Sequence, residues 1–324
     1  MKAVLCRELG GPDKLVLDEM VEPVPGPGEV LVRVKVAGLN FFDTLMLAGK
    51  YQFRPELPFS PGAECAGTIE ALGEEVSGWR VGDRVASFPG FNCCREKILV
   101  RAERLLAVPG GVSDEQAAGL IVTYGTSLHA LKDRARLRPG ETLAVLGAAG
   151  GVGLAAVEIG HAMGARVIAC ASSPEKLALA RDHGAEMTLD YAKEDLKEGL
   201  RRLTNGKGVD VVYDPVGGDT SEAALRSIAW QGRFLVVGFA AGSIPKIPLN
   251  LALLKGCDIQ GVFWGAFVER DFQTHRANMT QIFAWTAEGK LSAHVHAVFP
   301  LEETATALGE LLGRRAKGKV LVRI

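Results

Sequence analysis

Two textures of hydrophobic patterning divide this chain. Up to about residue 122 the apolar positions come in short runs broken by turns. Leu31-Val32-Arg33-Val34-Lys35-Val36 alternates along most of its length, as a half-buried strand does. Pro23, Pro25, Gly26, Pro27 and Gly28 punctuate the chain before it, and Gly67-Thr68-Ile69-Glu70-Ala71-Leu72-Gly73 reads as a further strand bounded by glycine. From about 123 to 262 the runs become continuous. Segments 142–146, 166–171, 209–213, 233–237 and 257–262 have strand length, and helical patterns separate them. Such alternation predicts a doubly wound parallel α/β sheet. After about 263 a long helical stretch near 271–288 leads to a strand at 295–299, a helix at about 302–313 and a closing strand at 320–324. The last strand is expected to return to the first domain. The expected organisation is therefore a discontinuous domain of 1–122 and 263–324 around a domain of 123–262.

The sharpest local signal is Gly147-Ala148-Ala149-Gly150-Gly151-Val152-Gly153, set between the apolar run 142–146 and a helical pattern from Leu154 to Met163. A glycine-rich turn from a buried strand into a helix suits a dinucleotide pyrophosphate. The glycines let the backbone approach the phosphates, and the helix N-terminus offers unpaired N–H groups and the positive end of its dipole. The next strand, 166–171, is expected to end beside the adenosine ribose, where an NAD site places Asp or Glu. Here Ala171 is followed by Ser172, Ser173 and then Lys176. Hydroxyls and a cation suit a 2′-phosphate, so the expected cofactor is NADPH.

Composition narrows the classes. A length of 324 residues exceeds one ordinary core, which fits two domains. The net charge of −1 gives no electrostatic case for nucleic acid or an anionic membrane. No apolar run reaches the roughly 18 residues of a membrane span, and Met1-Lys2-Ala3-Val4-Leu5-Cys6-Arg7-Glu8 has no signal-peptide core. A cytoplasmic location is expected. The six cysteines contain no C-x-x-C pair, and adjacent Cys93 and Cys94 do not by themselves build a tetrahedral zinc site. His294 and His296 share a strand face without acidic or sulfur neighbours in sequence, so no metal site is expected.

Ordered motifs along essentially the whole chain carry a resemblance. They are Gly38-Leu39-Asn40-Phe41-Phe42-Asp43, Gly49-Lys50-Tyr51, Pro61-Gly62-Ala63-Glu64-Cys65-Ala66-Gly67, Val81-Gly82-Asp83-Arg84-Val85, Val122-Thr123-Tyr124-Gly125-Thr126 and Ala148 through Gly153. Asp214-Pro215-Val216-Gly217-Gly218, Val237-Gly238-Phe239-Ala240 and Val262-Phe263-Trp264-Gly265 follow. The chain resembles the zinc-free NADPH:quinone oxidoreductase branch, which includes zeta-crystallin-like proteins, of the medium-chain dehydrogenase/reductase superfamily. The resemblance implies a GroES-like catalytic domain, a Rossmann domain and a cleft between them. It places Thr123 and Tyr124 near the nicotinamide and phosphates, and Ala149, Gly150, Gly151 and Val152 at the pyrophosphate. Ser173 and Lys176 would address the 2′-phosphate and Tyr191 the adenosine phosphate. Val216, Gly238, Phe239, Ala240, Phe263 and Trp264 would line the nicotinamide side, and Lys317 would reach in from the C-terminal segment. It also implies a homodimer joined through the edge strand at about 257–262, an apolar-rich self-pairing surface.

Departures from the zinc-dependent alcohol dehydrogenases matter. Those enzymes have cysteine where Asn40 stands and histidine where Ala63 stands before Glu64, so two zinc ligands are missing. What remains is hydride transfer to an acceptor that is already electrophilic. Charge then develops on the acceptor's carbonyl oxygen, and hydrogen-bond donors must stabilise it. Asn40 and Tyr51 are the candidate donors, with Asp43 orienting its neighbours. Many relatives carry arginine at the position of Leu47, which implies a less polar acceptor here. The acceptor is a small molecule: a quinone, or an activated alkene such as an enone, enal or enoyl thioester. A non-catalytic NADPH-binding protein of structural or regulatory role stays open as a third reading.

Overall fold

The computed structural model describes residues 1–324 as two compact units. The first comprises Met1–Val122, Met279–Glu288 and Ala293–Ile324; the second comprises Thr123–Asn278 and Gly289–Ser292.

In the first unit the strand Glu29–Leu39 organises a seven-stranded sheet. Its apolar side chains are buried while Arg33 and Lys35 face solvent, as the alternation requires. One edge pairs antiparallel with Glu64–Leu72. The other edge is shared: Lys97–Arg101 pairs with its first half and Lys319–Arg323 with its second. Val295–Pro300 adds in parallel to Lys319–Arg323. Val32, Val34, Leu39, Met46, Leu47, Phe59, Ile69 and Val322 form one core, each such side chain contributing about 1.5–3 kcal/mol on burial. The register has a functional consequence. Gly38 lies opposite Glu64 and Leu39 opposite Val320. Asn40, at the end of this strand, is thereby bracketed by residues 24 and 279 positions away in sequence.

The second unit is built on a six-stranded parallel sheet in the order Met187–Asp190, Arg166–Ala171, Thr142–Leu146, Val209–Asp214, Ile228–Val236, Asp258–Gly261. This is the Rossmann order, whose switch point lies at the first strand, Thr142–Leu146. That strand is buried along its whole length, as expected of a parallel sheet covered on both faces.

Two stretches differ from the expectation. Residues 263–278 and 289–292, expected with the first domain, belong to the second unit. For 263–278 the cause is packing: the Phe267 ring stacks on His129 with centroids 3.8 Å apart. Asn278 donates to Asp133 and accepts from Lys132, both at 2.8 Å.

Candidate functional site

The second unit collects most of the expected cofactor residues on one edge. Because all six strands run parallel, the loops after them emerge on the same side of the sheet. After Thr142–Leu146 the chain turns at Gly147, whose φ of +59° lies in the region that favours glycine. The helix Gly151–Ala162 then begins, with Gly150 as its N-cap. A Cβ on Gly153 would stand 2.2 Å from the Gly147 carbonyl oxygen, so the helix seats against the turn only with glycine at 153. The first N–H groups of this helix have no intrahelical partner and carry the positive end of the dipole, a site for an anion. Ala149 is buried beneath the turn, while Gly150, Gly151 and Val152 are partly open.

After Arg166–Ala171, Ser172 is exposed and Ser173 caps the next helix, its Oγ accepting from the Lys176 N–H at 3.4 Å. The Ser173 hydroxyl hydrogen remains available, and Lys176 sits half-buried in the first helical turn. Tyr191 follows Met187–Asp190 and donates its N–H to Ala171 at 3.2 Å. The loop bearing Val216 is shaped by Asp214, whose buried carboxylate accepts the N–H groups of Val216 and Gly217, both at 2.9 Å. Gly238, Phe239 and Ala240 follow Ile228–Val236, and Ala240 is tied back to Pro215 at 3.1 Å. Phe263 follows Asp258–Gly261 and is 63% exposed.

Three further expected cofactor-side residues are carried by helices and not by the strand-end loops. Thr123 and Tyr124 belong to the helix Asp114–Leu128. Ser127, one turn on, donates to Thr123 and Val152 and shares a hydrogen bond with Tyr213 at 2.9 Å, so this helix is fastened to the glycine helix. The Tyr124 hydroxyl is donated to Glu158 at 2.7 Å inside the unit. Glu158 also accepts from Ser292 and pairs with His183. Burial pushes its carboxyl up, but the His183, Ser292 and Tyr124 donors outweigh burial and hold it below the ordinary carboxylate value. Trp264, expected to line the nicotinamide side, is 5% exposed; it lies over Gly125 and edge-on to His275, because the 264–270 helix packs into this unit.

The first unit gathers the expected donor residues. Asn40 precedes the short helix Phe41–Leu47, and its backbone N–H is accepted by the Asp43 carboxylate at 2.7 Å. The other Asp43 oxygen accepts from the Gly62 N–H at 3.1 Å. Burial pushes the Asp43 carboxyl up from 3.8 to about 7, against the opposing pull of these N–H donors and of Lys319. The Asn40 Nδ2 donates to Glu64 at 2.8 Å, and Lys319 Nζ donates to Asn40 Oδ1 at 2.7 Å and to Glu64. The second Glu64 oxygen accepts the Val122 N–H at 2.7 Å. Tyr51 stacks on Phe42 with centroids 5.3 Å apart, and partial burial raises its phenol pKa.

Lys317 is half-buried; a second lysine of the same segment, Lys319, is drawn into the Asn40 cluster, because the 319–323 strand pairs directly beside Leu39. One expectation in this unit needs correction. Leu47 is 1% exposed and packs in the core, so its identity reflects packing and says nothing of acceptor polarity.

Comparison with known proteins fixes the family. Residues 26–131 match the alcohol dehydrogenase GroES-like domain and residues 151–281 the zinc-binding dehydrogenase family. The chain is 40% identical to quinone oxidoreductase-like protein 2 of Bos taurus over 324 residues, covering all of this chain and 92% of that protein. This chain belongs to the medium-chain dehydrogenase/reductase superfamily, in its quinone oxidoreductase-like branch.

Solved structures of this branch agree. The Pseudomonas syringae pv. Tomato DC3000 quinone oxidoreductase superposes with a TM-score of 0.92 at 35% identity, covering 100% of this chain and 99% of that one. The Escherichia coli quinone oxidoreductase complexed with NADPH gives a TM-score of 0.93 at 28% identity over the whole of both chains. The protein is thus an oxidoreductase of this superfamily, with a Rossmann unit that fits a nicotinamide dinucleotide. A superfamily zinc does not fit its residues. Ala63 offers no ligand, and the Asn40 oxygen is already taken by the Lys319 ammonium. No group of three or more His, Cys, Asp or Glu is placed to hold a metal ion. Cys93 and Cys94 are buried, and desolvation drives both thiols up, which keeps them protonated.

Sequence reasoning missed Lys319 and the role of Glu64. Neither pattern nor spacing marks them, since only strand register brings them to Asn40. The available signal was a lysine opening an apolar closing strand, at a position that would be buried.

Proposed function

We propose that this protein is a metal-free NADPH:quinone oxidoreductase. The observation that supports this most is the buried Asn40–Lys319–Glu64 cluster, which sets a fixed cation and an amide donor at the position of the missing zinc ligands. Bound NADPH would supply the hydride. The protein's own tasks are to hold the cofactor, orient the acceptor and stabilise charge as it appears on the acceptor's oxygen.

The Gly147–Gly153 turn and the N–H groups of the following helix would hold the pyrophosphate. Ser172, Ser173 and Lys176 would hold the 2′-phosphate, and they favour NADPH because the strand ends in Ala171-Ser172-Ser173 with no Asp or Glu at its tip to bond a ribose hydroxyl. Val216, Gly238, Phe239, Ala240 and the exposed Phe263 would flank the nicotinamide. The Asn40 amide and the Tyr51 phenol would donate to the acceptor oxygen. Asp43 holds the Asn40 backbone in place through its N–H. We also propose a homodimer formed through the edge strand Asp258–Gly261. This reading is supported by exposed Leu253 and Trp230 near that edge, at 80% and 69%.

Asn40→Ala and Tyr51→Phe test the donor assignment. Each is expected to lower quinone kcat by about 10- to 1000-fold while NADPH affinity holds. Unchanged kcat in both variants would remove these side chains from the reaction.

A further inference from the structure

We propose that Lys319 is a positioning residue for acceptor reduction: with Glu64 it fixes the Asn40 amide so that a single N–H is presented to the acceptor's carbonyl oxygen. The proposal rests on the reading that Asn40 addresses the acceptor.

An asparagine amide has one acceptor oxygen and two N–H donors, and its two flip states differ little in shape. Here the charges decide between them. Lys319 Nζ lies 2.7 Å from Oδ1, and Glu64 Oε1 lies 2.8 Å from Nδ2. A flipped amide would set its NH2 against an ammonium and its oxygen against a carboxylate. Lys319 also donates to the same Glu64 oxygen, closing a three-membered ring of contacts. The ring is dry: Asn40, Glu64 and Lys319 are 7%, 0% and 4% exposed. Glu64 is held from its far side by the Val122 N–H at 2.7 Å, so the carboxylate cannot swing away.

Two effects follow. One Nδ2–H is spent on Glu64, and the other has no protein partner, so the donor direction is set before the acceptor arrives. The ammonium on Oδ1 also draws electron density out of the amide. That polarisation makes the remaining N–H a stronger donor to a developing negative charge. Lys319 need not touch the acceptor for either effect.

A double-mutant cycle tests this. Lys319→Met is expected to lower quinone kcat by about 10- to 100-fold, with KM and the NADPH Kd little changed, and Lys319→Arg to restore part of the loss. In an Asn40→Ala background, Lys319→Met should cost nothing further, because the residue acts through the amide. The same loss in both backgrounds, or a fall in NADPH affinity that accounts for it, would overturn the proposal. If Asn40→Ala alone leaves kcat intact, the donor reading fails instead, so the two failures are distinguishable. Should Lys319→Met not fold, Lys319→Met/Glu64→Gln removes both charges together and enters the same cycle.

Discussion

Lys319 and Asn40 stand 279 residues apart in the chain and 2.7 Å apart in the fold. The contact exists because the closing strand inserts beside Glu29–Leu39, placing Val320 opposite Leu39. It gives a buried amide a permanent cationic partner, at the position where zinc-dependent relatives carry a metal ligand.

The phosphate assignment predicts a change in cofactor preference. Lys176→Glu replaces an attractive charge with a repulsive one at the start of the helix capped by Ser173. A charged hydrogen bond is worth about 1.5–3 kcal/mol, so NADPH is expected to bind about 10- to 100-fold more weakly while NADH changes little. Titration of both cofactors by fluorescence or calorimetry checks this. Equal weakening of the two would remove Lys176 from the 2′-phosphate.

Asp43 predicts a stability term with an unusual sign. Its folded pKa is raised from 3.8 to about 7, burial being the main cause. The folded state therefore holds a proton that the unfolded state gives up earlier. This contribution is fully present below about pH 4 and is lost as pH rises through about 7, on the order of 4 kcal/mol in all. Asp43→Asn should abolish it. Chemical unfolding across this range is expected to show the difference between the two proteins shifting in favour of the variant as pH rises. A flat difference would contradict the assignment.

Glu158 predicts the opposite sign. Its carboxylate is bound by Tyr124, His183 and Ser292, which hold its pKa below the ordinary 4.5. Its stabilisation is present above that value and is lost as pH falls through the folded pKa. Glu158→Ala removes a buried carboxylate from the buried Tyr124 hydroxyl and the half-buried His183 ring and is expected to cost about 1–3 kcal/mol near neutral pH. Denaturant midpoints would show a loss that narrows on acidification. A loss under 1 kcal/mol would mean that water replaces the carboxylate at no penalty.

Much of the fold was legible because its signals are local. The run 142–146 and the glycines after it mark strand, turn and helix within a dozen residues, and the observed strand is Thr142–Leu146. The strand Met187–Asp190 buries only Leu189, so its pattern is nearly silent. Residues 263–278 were placed in the wrong unit because their partners, His129, Lys132 and Asp133, lie more than a hundred positions away. The donor site was half legible. Asn40 and Asp43 fall in one motif, three residues apart, and do bond each other. Glu64 and Lys319 reach them only through strand register, which periodicity cannot specify across such separations. Leu47 shows the converse error, where a position read as acceptor-facing is filled by core packing.

The edge strand predicts self-association. Asp258–Gly261 pairs on one side only, and Leu253, Leu254 and Trp230 are exposed around it. Light scattering at micromolar concentration is expected to give twice the 34.5 kDa of one chain, and Ile259→Lys/Leu253→Lys to give one. A single-chain mass for the unmodified protein would refute the dimer.

The most direct test of the central claim is NADPH oxidation with EDTA present, against an ortho-quinone, a para-quinone, an alkenal and a crotonyl thioester. Turnover of the quinones that the chelator does not reduce is expected, with slower turnover of the other two. Tight NADPH binding without oxidation by any quinone, or activity that EDTA abolishes, would contradict the claim.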